Sequence, residues 1–187
     1  MKLRTARLSD AASIAGIYAP IVRETAVSFE ADPPTAGQIA ARIETGLETY
    51  PWLVAEQECV LRGYAYAGPH RSRAAYRWAC DVSIYVGSEA RRCGVGRRLY
   101  RALFEILRRQ NYAAAFAGVT LPNPASVALH EALGFEAVGV FRKVGFKLGA
   151  WHDVGWWRLG LRDSDERPPE PIPFSALDGT GLARVGS

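Results

Sequence analysis

Residues 82–98 read Val82-Ser-Ile-Tyr-Val86-Gly-Ser-Glu-Ala-Arg91-Arg92-Cys93-Gly94-Val95-Gly96-Arg97-Arg98, and they hold a strand, a turn and the start of a helix. The run Val82–Val86 is apolar and rich in β-branched and aromatic residues, which suits a buried strand. Beyond Gly94, Leu99, Leu103, Phe104, Ile106 and Leu107 recur at helical spacing and define one apolar face. The first amides of a helix lack intrahelical acceptors, and the macrodipole concentrates partial positive charge at the same end. Such a terminus favours an anion. Glycine at 94 and 96 removes the β-carbons that would hold off a diphosphate, and Arg91, Arg92, Arg97 and Arg98 add formal positive charge. The stretch reads as a diphosphate cradle. It is neither a nucleotide P-loop, which needs a lysine followed by Ser or Thr, nor a G-x-G-x-x-G turn. Taken alone it leaves open a basic turn ahead of a surface helix.

A second cluster lies downstream. Asn123-Pro-Ala-Ser126 leads through Val127, Ala128 and Leu129 to His130-Glu-Ala-Leu-Gly134-Phe135. Between the clusters, Ala113–Leu121 is an apolar run expected to be a buried strand, and a short helix is expected over Ala125–Leu133. Working toward the N-terminus, Trp78–Val86 is expected to be a long central strand, and Pro51–Gln57 with Val60–Gly68 an antiparallel hairpin. Thr35 caps an expected helix over Ala36–Thr49. Leu3–Leu8 reads as a strand ending at Ser9-Asp10, a cap for a helix over Ala11–Thr25 that Pro20 should kink or divide. Toward the C-terminus, Phe135–Phe141 and Val154–Leu161 are expected strands joined by an Arg142–Trp151 connection. The expected organisation is one domain over 1–162 and a Pro- and Gly-rich mobile tail over 163–187.

Composition fits that organisation. The chain has 187 residues, 49% hydrophobic and 22% charged, enough for one core. Its three cysteines, Cys59, Cys80 and Cys93, show neither disulfide nor metal spacing, which points to a reducing, cytoplasmic compartment and no metal. The polar start Met1-Lys-Leu-Arg-Thr resembles no secretory signal, and no apolar run approaches membrane length. The net charge of +4 is concentrated at the cradle and near residues 71–77, so a polyanionic cofactor and an acidic small molecule account for it without nucleic acid or membrane.

The two clusters together resemble the GCN5-related N-acetyltransferases (GNAT): the first is similar to their coenzyme A loop, the second to their N-x-x-[AS]-x-x-x-[YH]-x-x-x-G-F segment. A narrower resemblance, to the phosphinothricin and methionine sulfoximine N-acetyltransferase branch, rests on several stretches. They are Val27-Ser-Phe29, Tyr64-Ala-Tyr-Ala-Gly68-Pro69, Arg73-Ala-Ala-Tyr76-Arg-Trp78, Ser83-Ile-Tyr-Val86, Leu121-Pro-Asn123, His130–Phe135 and Gly145-Phe-Lys-Leu-Gly149-Ala-Trp-His152-Asp153-Val154-Gly-Trp-Trp157. The resemblance spans residues 1 to about 161. It implies an α/β fold of the acyl-CoA N-acyltransferase type, with a mixed central sheet flanked by helices on both faces. It also implies acetyl-CoA as cosubstrate, a small amino acid analogue as acceptor, direct transfer in a ternary complex and a homodimer.

Acetyl transfer to an amine needs a base, because the α-ammonium is protonated at neutral pH. Asp81, where the branch usually carries glutamate, is the candidate, acting directly or through water; a plain pairing with Arg77 or another arginine is the alternative. His130 stands where many relatives have a tyrosine. It could donate to the leaving sulfur, or act as base with Asp81 orienting it. The backbone of Ile84, Tyr85 and Val86 is expected to bind the pantetheine arm, the amides of Arg92, Cys93, Gly94, Val95, Gly96 and Arg97 the diphosphate, and Asn123 and Ser126 the arm again. For the acceptor, Arg71, Arg73 and Tyr76 suit a carboxylate and a phosphinate, with Ala74 and Ala75 between them and Phe29 and Val154 as apolar walls. His152 reads as structural, packed by Trp151 and Asp153, and His70 as an exposed loop residue. Cys93 lies in the phosphate loop and is no nucleophile. The rival functions are acetylation of a polyamine, an aminoglycoside or a protein N-terminus, and a non-catalytic coenzyme A-binding module.

Overall fold

The computed structural model describes residues 1–163 and 167–177. The strands are Lys2–Thr5 (β1), Trp52–Gln57 (β2), Val60–Pro69 (β3), Ala79–Val86 (β4), Ala114–Leu121 (β5), Glu136–Lys147 (β6) and Ala150–Gly160 (β7). The helices are Ala11–Glu24 (α1), Ala36–Thr49 (α2), Val95–Arg109 (α3) and Pro124–Glu131 (α4). All seven strands form one sheet in the order β1-β2-β3-β4-β5-β7-β6.

Strand alternation sends neighbouring residues to opposite faces, and each face has its own core. Trp52, Val54 and Tyr64 pack with Ile14, Tyr18, Val22, Ile39 and Ile43 of α1 and α2. Leu53, Ala55, Ala65, Cys80 and Val82 pack with Leu99, Leu103, Ile106 and Leu107 of α3. The expected mixed sheet with helices on both faces is therefore what forms. Thr35 caps α2 reciprocally: its Oγ1 accepts from Gln38 N–H at 3.2 Å and its N–H donates to Gln38 Oε1 at 2.8 Å.

One junction controls everything that follows. β4 and β5 are parallel neighbours through Ala79–Ala114, Cys80–Ala115 and Asp81–Phe116 only. Beyond that point β4 stays bonded to β3 as far as Val86, and β5 to β7 as far as Leu121. The two strands part like the arms of a V with Asp81 at its base.

Four expectations need correction. The first strand ends at Thr5, and Leu8 lies in a 3-10 turn; Asp10 there accepts from Arg7 N–H and from Arg4 rather than capping α1 with its side chain. Pro20 does not divide α1, because buried residues on both sides of it, Ile14 and Tyr18 before and Ile21 and Val22 after, anchor the same face. The Arg142–Trp151 connection is mostly strand: β6 and β7 form a long hairpin that pairs out to Lys147–Ala150 and turns at Leu148-Gly149, where Gly149 has φ +76°.

The tail differs as well. Over 167–177 it is docked rather than loose. Gln110, fully buried, donates from Nε2 to the carbonyls of Thr49 and Ile172, both at 2.8 Å, and its main-chain carbonyl accepts from Ile172 N–H. Arg77 forms a two-pronged ion pair with Glu170, and Trp78 Nε1–H donates to Pro169 O. Phe174 and Leu177 pack against the α3-side core. A proline-rich segment has few amide donors, so side chains from the domain satisfy its carbonyls instead. The rest of the expected tail, 164–166 and 178–187, lies outside the described residues. Gln110→Ala removes both of these part-buried bonds and should cost about 1–2 kcal/mol, read as a lowered urea midpoint at unchanged m-value.

Candidate active site

The arms of the V enclose a slot of about 60 Å³. Ser83, Ile84 and Tyr85 line it from β4, Gly118 and Thr120 from β5, and Tyr100, Asn123, Ser126 and His130 from the helices. Past Asp81 the main chain of β4 has no strand partner on the β5 side. An extended amide-bearing ligand can complete that edge as an added strand would.

At the open end of β4 the chain turns into α3. Gly94 is the cap residue with φ +75°, a left-handed conformation that glycine adopts without penalty, and Arg92 shares it with φ +61°. The first helical bond runs from Arg98 N–H to Gly94 O at 3.1 Å, so the amides of Val95, Gly96 and Arg97 precede the ladder. Gly96 serves packing: a β-carbon there would lie 3.2 Å from Leu129 Cδ2 of α4 and 3.5 Å from Ile84 Cδ1 of β4. Cys93 is exposed on this turn.

His130 is 2% exposed. Its Nδ1 lies 2.7 Å from Ser126 O, and since a carbonyl only accepts, the proton sits on Nδ1. Nε2 then accepts from the Tyr100 hydroxyl at 3.1 Å. Burial holds the imidazole below its ordinary range, so the ring is neutral. Asn123 caps α4 by accepting from Ser126 N–H at 3.2 Å. Asp81 cannot orient His130. It lies between Cys80 and Val82, which face α3, so its side chain is on the other side of the sheet.

The partner of Asp81 is His70. Nδ1 of His70 and Oδ1 of Asp81 are 2.6 Å apart, and the His70 side chain is 12% exposed, not the free loop residue its sequence context suggested. The ring stacks on Phe116 at 4.3 Å and meets Tyr76 and Trp156 edge-on at 5.9 and 6.0 Å. Arg77, the alternative partner for Asp81, is taken by Glu170. Burial raises the Asp81 carboxyl, while His70 and Arg71 oppose that rise.

Around this pair the acceptor-side residues are partly gathered. The Arg71 guanidinium lies 5.6 Å over the Trp156 ring and donates to His70 O at 3.0 Å. Arg73, Ala74 and Ala75 are exposed and form the 3-10 turn that carries Tyr76. Val154 and Trp156 both lie against Gly118, where a β-carbon would stand 3.6 and 3.4 Å from them. Phe29 packs over Gly145 of β6 instead, with its ring 6.3 Å from His152. Lys147 fixes that region by donating to Val22 O at 2.7 Å and Ser28 O at 2.6 Å. His152 donates to Lys147 O, while Asp153 accepts from Lys143 N–H and Trp151 packs on Phe146. Sequence reasoning missed His70, Phe116 and Trp156. No local pattern marks His70: only the pairing of β3 with β4, with Gly68 opposite Asp81 and Pro69 opposite Cys80, puts it diagonal to Asp81 on the same face.

Comparison with known proteins shows the family of the chain. Residues 3–156 match the acetyltransferase (GNAT) domain family. The chain is 39% identical to a phosphinothricin N-acetyltransferase of Streptomyces viridochromogenes, over 92% of this chain and 93% of that protein. It is 34% identical to an L-methionine sulfoximine/L-methionine sulfone acetyltransferase of Salmonella typhimurium, over 86% and 95% of the two chains. The crystal structure of a phosphinothricin acetyltransferase from Sinorhizobium meliloti, solved with acetyl-CoA, superposes with a TM-score of 0.87 at 35% identity, over 93% of this chain and 96% of that one. The protein belongs to the GNAT acetyltransferase family.

The buried His130 has a pH signature. Its folded value lies below the unfolded one near 6.5, so the unfolded chain takes the proton first as pH falls. Its contribution to stability is complete above about pH 6.5 and declines below it. His130→Gln should flatten the acid-side fall in unfolding free energy just below pH 6.5, measured by urea denaturation at a series of pH values.

Proposed function

We propose that the protein is an acetyl-CoA-dependent N-acetyltransferase acting on the α-amino group of a small L-amino acid analogue, with phosphinothricin and methionine sulfoximine as the leading acceptors. The observation that carries this reading is the unpaired edge of β4 beyond Asp81, open toward a helix N-terminus at one end and toward a carboxylate at the other. Acetyl-CoA supplies the activated acetyl group as a thioester. The amides of Arg92, Cys93, Gly94, Val95, Gly96 and Arg97 are assigned to its diphosphate. The main chain of Ile84, Tyr85 and Val86 is assigned to the pantetheine amides, with Asn123 and Ser126 along the same path, and an amide near Ile84 to the thioester oxygen.

The basic end of the site is built on Asp81, the carboxylate that draws the proton from the acceptor's ammonium directly or by way of a neighbouring group. Arg71, Arg73 and Tyr76 are assigned to the acceptor's carboxylate and its phosphinate or sulfoximine group, with Ala74 and Ala75 in the same turn. Val154 and Phe29 supply apolar walls. We assign the leaving sulfur to the His130 face, across the sheet from the base. A cationic acceptor such as a polyamine or aminoglycoside would need carboxylates where Arg71 and Arg73 stand, and a non-catalytic module would have no use for a half-buried carboxylate where β4 and β5 part.

We further propose that the working form is a homodimer in the cytoplasm. β6 is an edge strand, and the hairpin it forms with β7 exposes Val138, Phe146, Leu148 and Trp151, each at least 60% accessible. Such a patch on an edge calls for a cover, and a second copy supplies one of matching character. Free thiols at Cys59, Cys80 and Cys93 fit a reducing compartment. No helix among the described residues is long and apolar enough to cross a membrane.

Purified protein incubated with acetyl-CoA and a panel of amino acids should release thiol with phosphinothricin or methionine sulfoximine and not with spermidine. Asp81→Ala should lower kcat by about 10²-fold or more while acetyl-CoA affinity stays within a few-fold. Equal losses in both quantities would make the carboxylate structural. Trp151→Glu should convert the dimer to a monomer in sedimentation velocity; a monomeric wild type removes the assembly proposal.

A further inference from the structure

We infer that the acceptor's ammonium gives its proton to Nε2 of His70, with Asp81 as the group that holds the His70 ring in place. The inference rests on the acetyltransferase reading above and says which atom of that site receives the proton. Asp81 is an acceptor when ionised, so at 2.6 Å the hydrogen between the two residues is carried by His70 Nδ1. A neutral ring with its proton on Nδ1 has a bare lone pair on Nε2. Among the described residues no group occupies that nitrogen. The ring cannot swing away, because Phe116 stacks on one face at 4.3 Å and Tyr76 and Trp156 close its edges. A fixed tautomer, a fixed ring plane and a free basic nitrogen are what a general base requires.

Location supports the same assignment. His70 follows the last residue of β3 and Asp81 marks the last paired position of β4 and β5, so the dyad sits where the slot opens onto the α1–α2 face. Arg71 and Tyr76, assigned to the acceptor's anionic groups, flank the imidazole. An amino acid whose carboxylate met them would bring its α-nitrogen beside the imidazole they flank. The charged and titratable groups facing the ring are Asp81 from β4, Arg71 beside it in the chain and Tyr76 from the 3-10 turn; β5 and β7 contribute only the apolar faces of Phe116 and Trp156.

The proton balance closes. Nε2 takes one proton from the ammonium and becomes imidazolium against the Asp81 carboxylate, leaving a neutral amine. The amine nitrogen forms a bond to the acetyl carbon as the carbon–sulfur bond breaks, and a second proton from nitrogen ends on the departing sulfur. The imidazolium then returns its proton to solvent, so each turnover yields amide, coenzyme A thiol and one proton.

Two measurements test the dyad. With an accepted amino acid, His70→Gln should lower kcat by about 10²-fold or more with KM for acetyl-CoA within threefold, and the acid limb of the kcat/KM–pH profile should disappear. In the protein alone, 15N NMR of the imidazoles should show His70 as the Nδ1–H tautomer, and Asp81→Asn should abolish that preference without loss of the folded spectrum. A His70→Gln enzyme that keeps kcat within threefold and retains the acid limb overturns the inference and leaves the acetyltransferase reading standing, as does an Nε2–H tautomer in the wild type. A wild type that binds acetyl-CoA but releases no thiol with any amine overturns both.

Discussion

The structure depends on two parallel strands that pair for three residues and then separate. β3 holds one outer edge of the pair and β7 the other, so neither strand can relax back toward its neighbour without losing a full ladder. Backbone N–H and C=O groups of a sheet interior are costly to leave unpaired, and here one arm of the V presents them along Val82–Val86. The fold has thus kept open an edge that a main-chain-like ligand can complete. The aromatic and glycine residues around it follow from that need: Gly118 makes room for Trp156 and Val154, and Tyr100 and His130 close the far side.

The same separation sorts the chemistry. Because strand residues alternate, Asp81 belongs to the α1–α2 face and the residues either side of it to the α3 face. The Asp81–His70 pair on one side and the buried His130 ring on the other are kept apart by the sheet itself. The two histidines therefore differ in kind. His70 keeps an open nitrogen and a charged partner, whereas His130 has both nitrogens engaged with Ser126 and Tyr100.

Much of this was legible in the chain. Each of the eleven major elements was expected at its place in the chain, most firmly where an apolar helix face (α1 to α3) or an apolar strand run (β4, β5) marks it. The segments misread are those whose order comes from partners distant in sequence. Residues 142–151 lack a buried face and hold strand form by pairing with each other across a tight turn. Residues 167–177 have a disordered composition, and it takes Gln110, Arg77 and Trp78 to fix them. The glycine turn and Asp81 could be found from local pattern. His70 could not, since its value arises only when β3 and β4 are set in register.

Lys147 carries the last consequence. From the far end of β6 its ammonium grips two carbonyls, one at the end of α1 and one in the loop after it, and Phe29 of that loop lies over Gly145 two residues away. The hairpin and the loop are thereby clasped into one body. A force applied at the outer face of β6 and β7 is carried into the end of α1 and the loop after it, so the last hairpin cannot shift without taking that loop along.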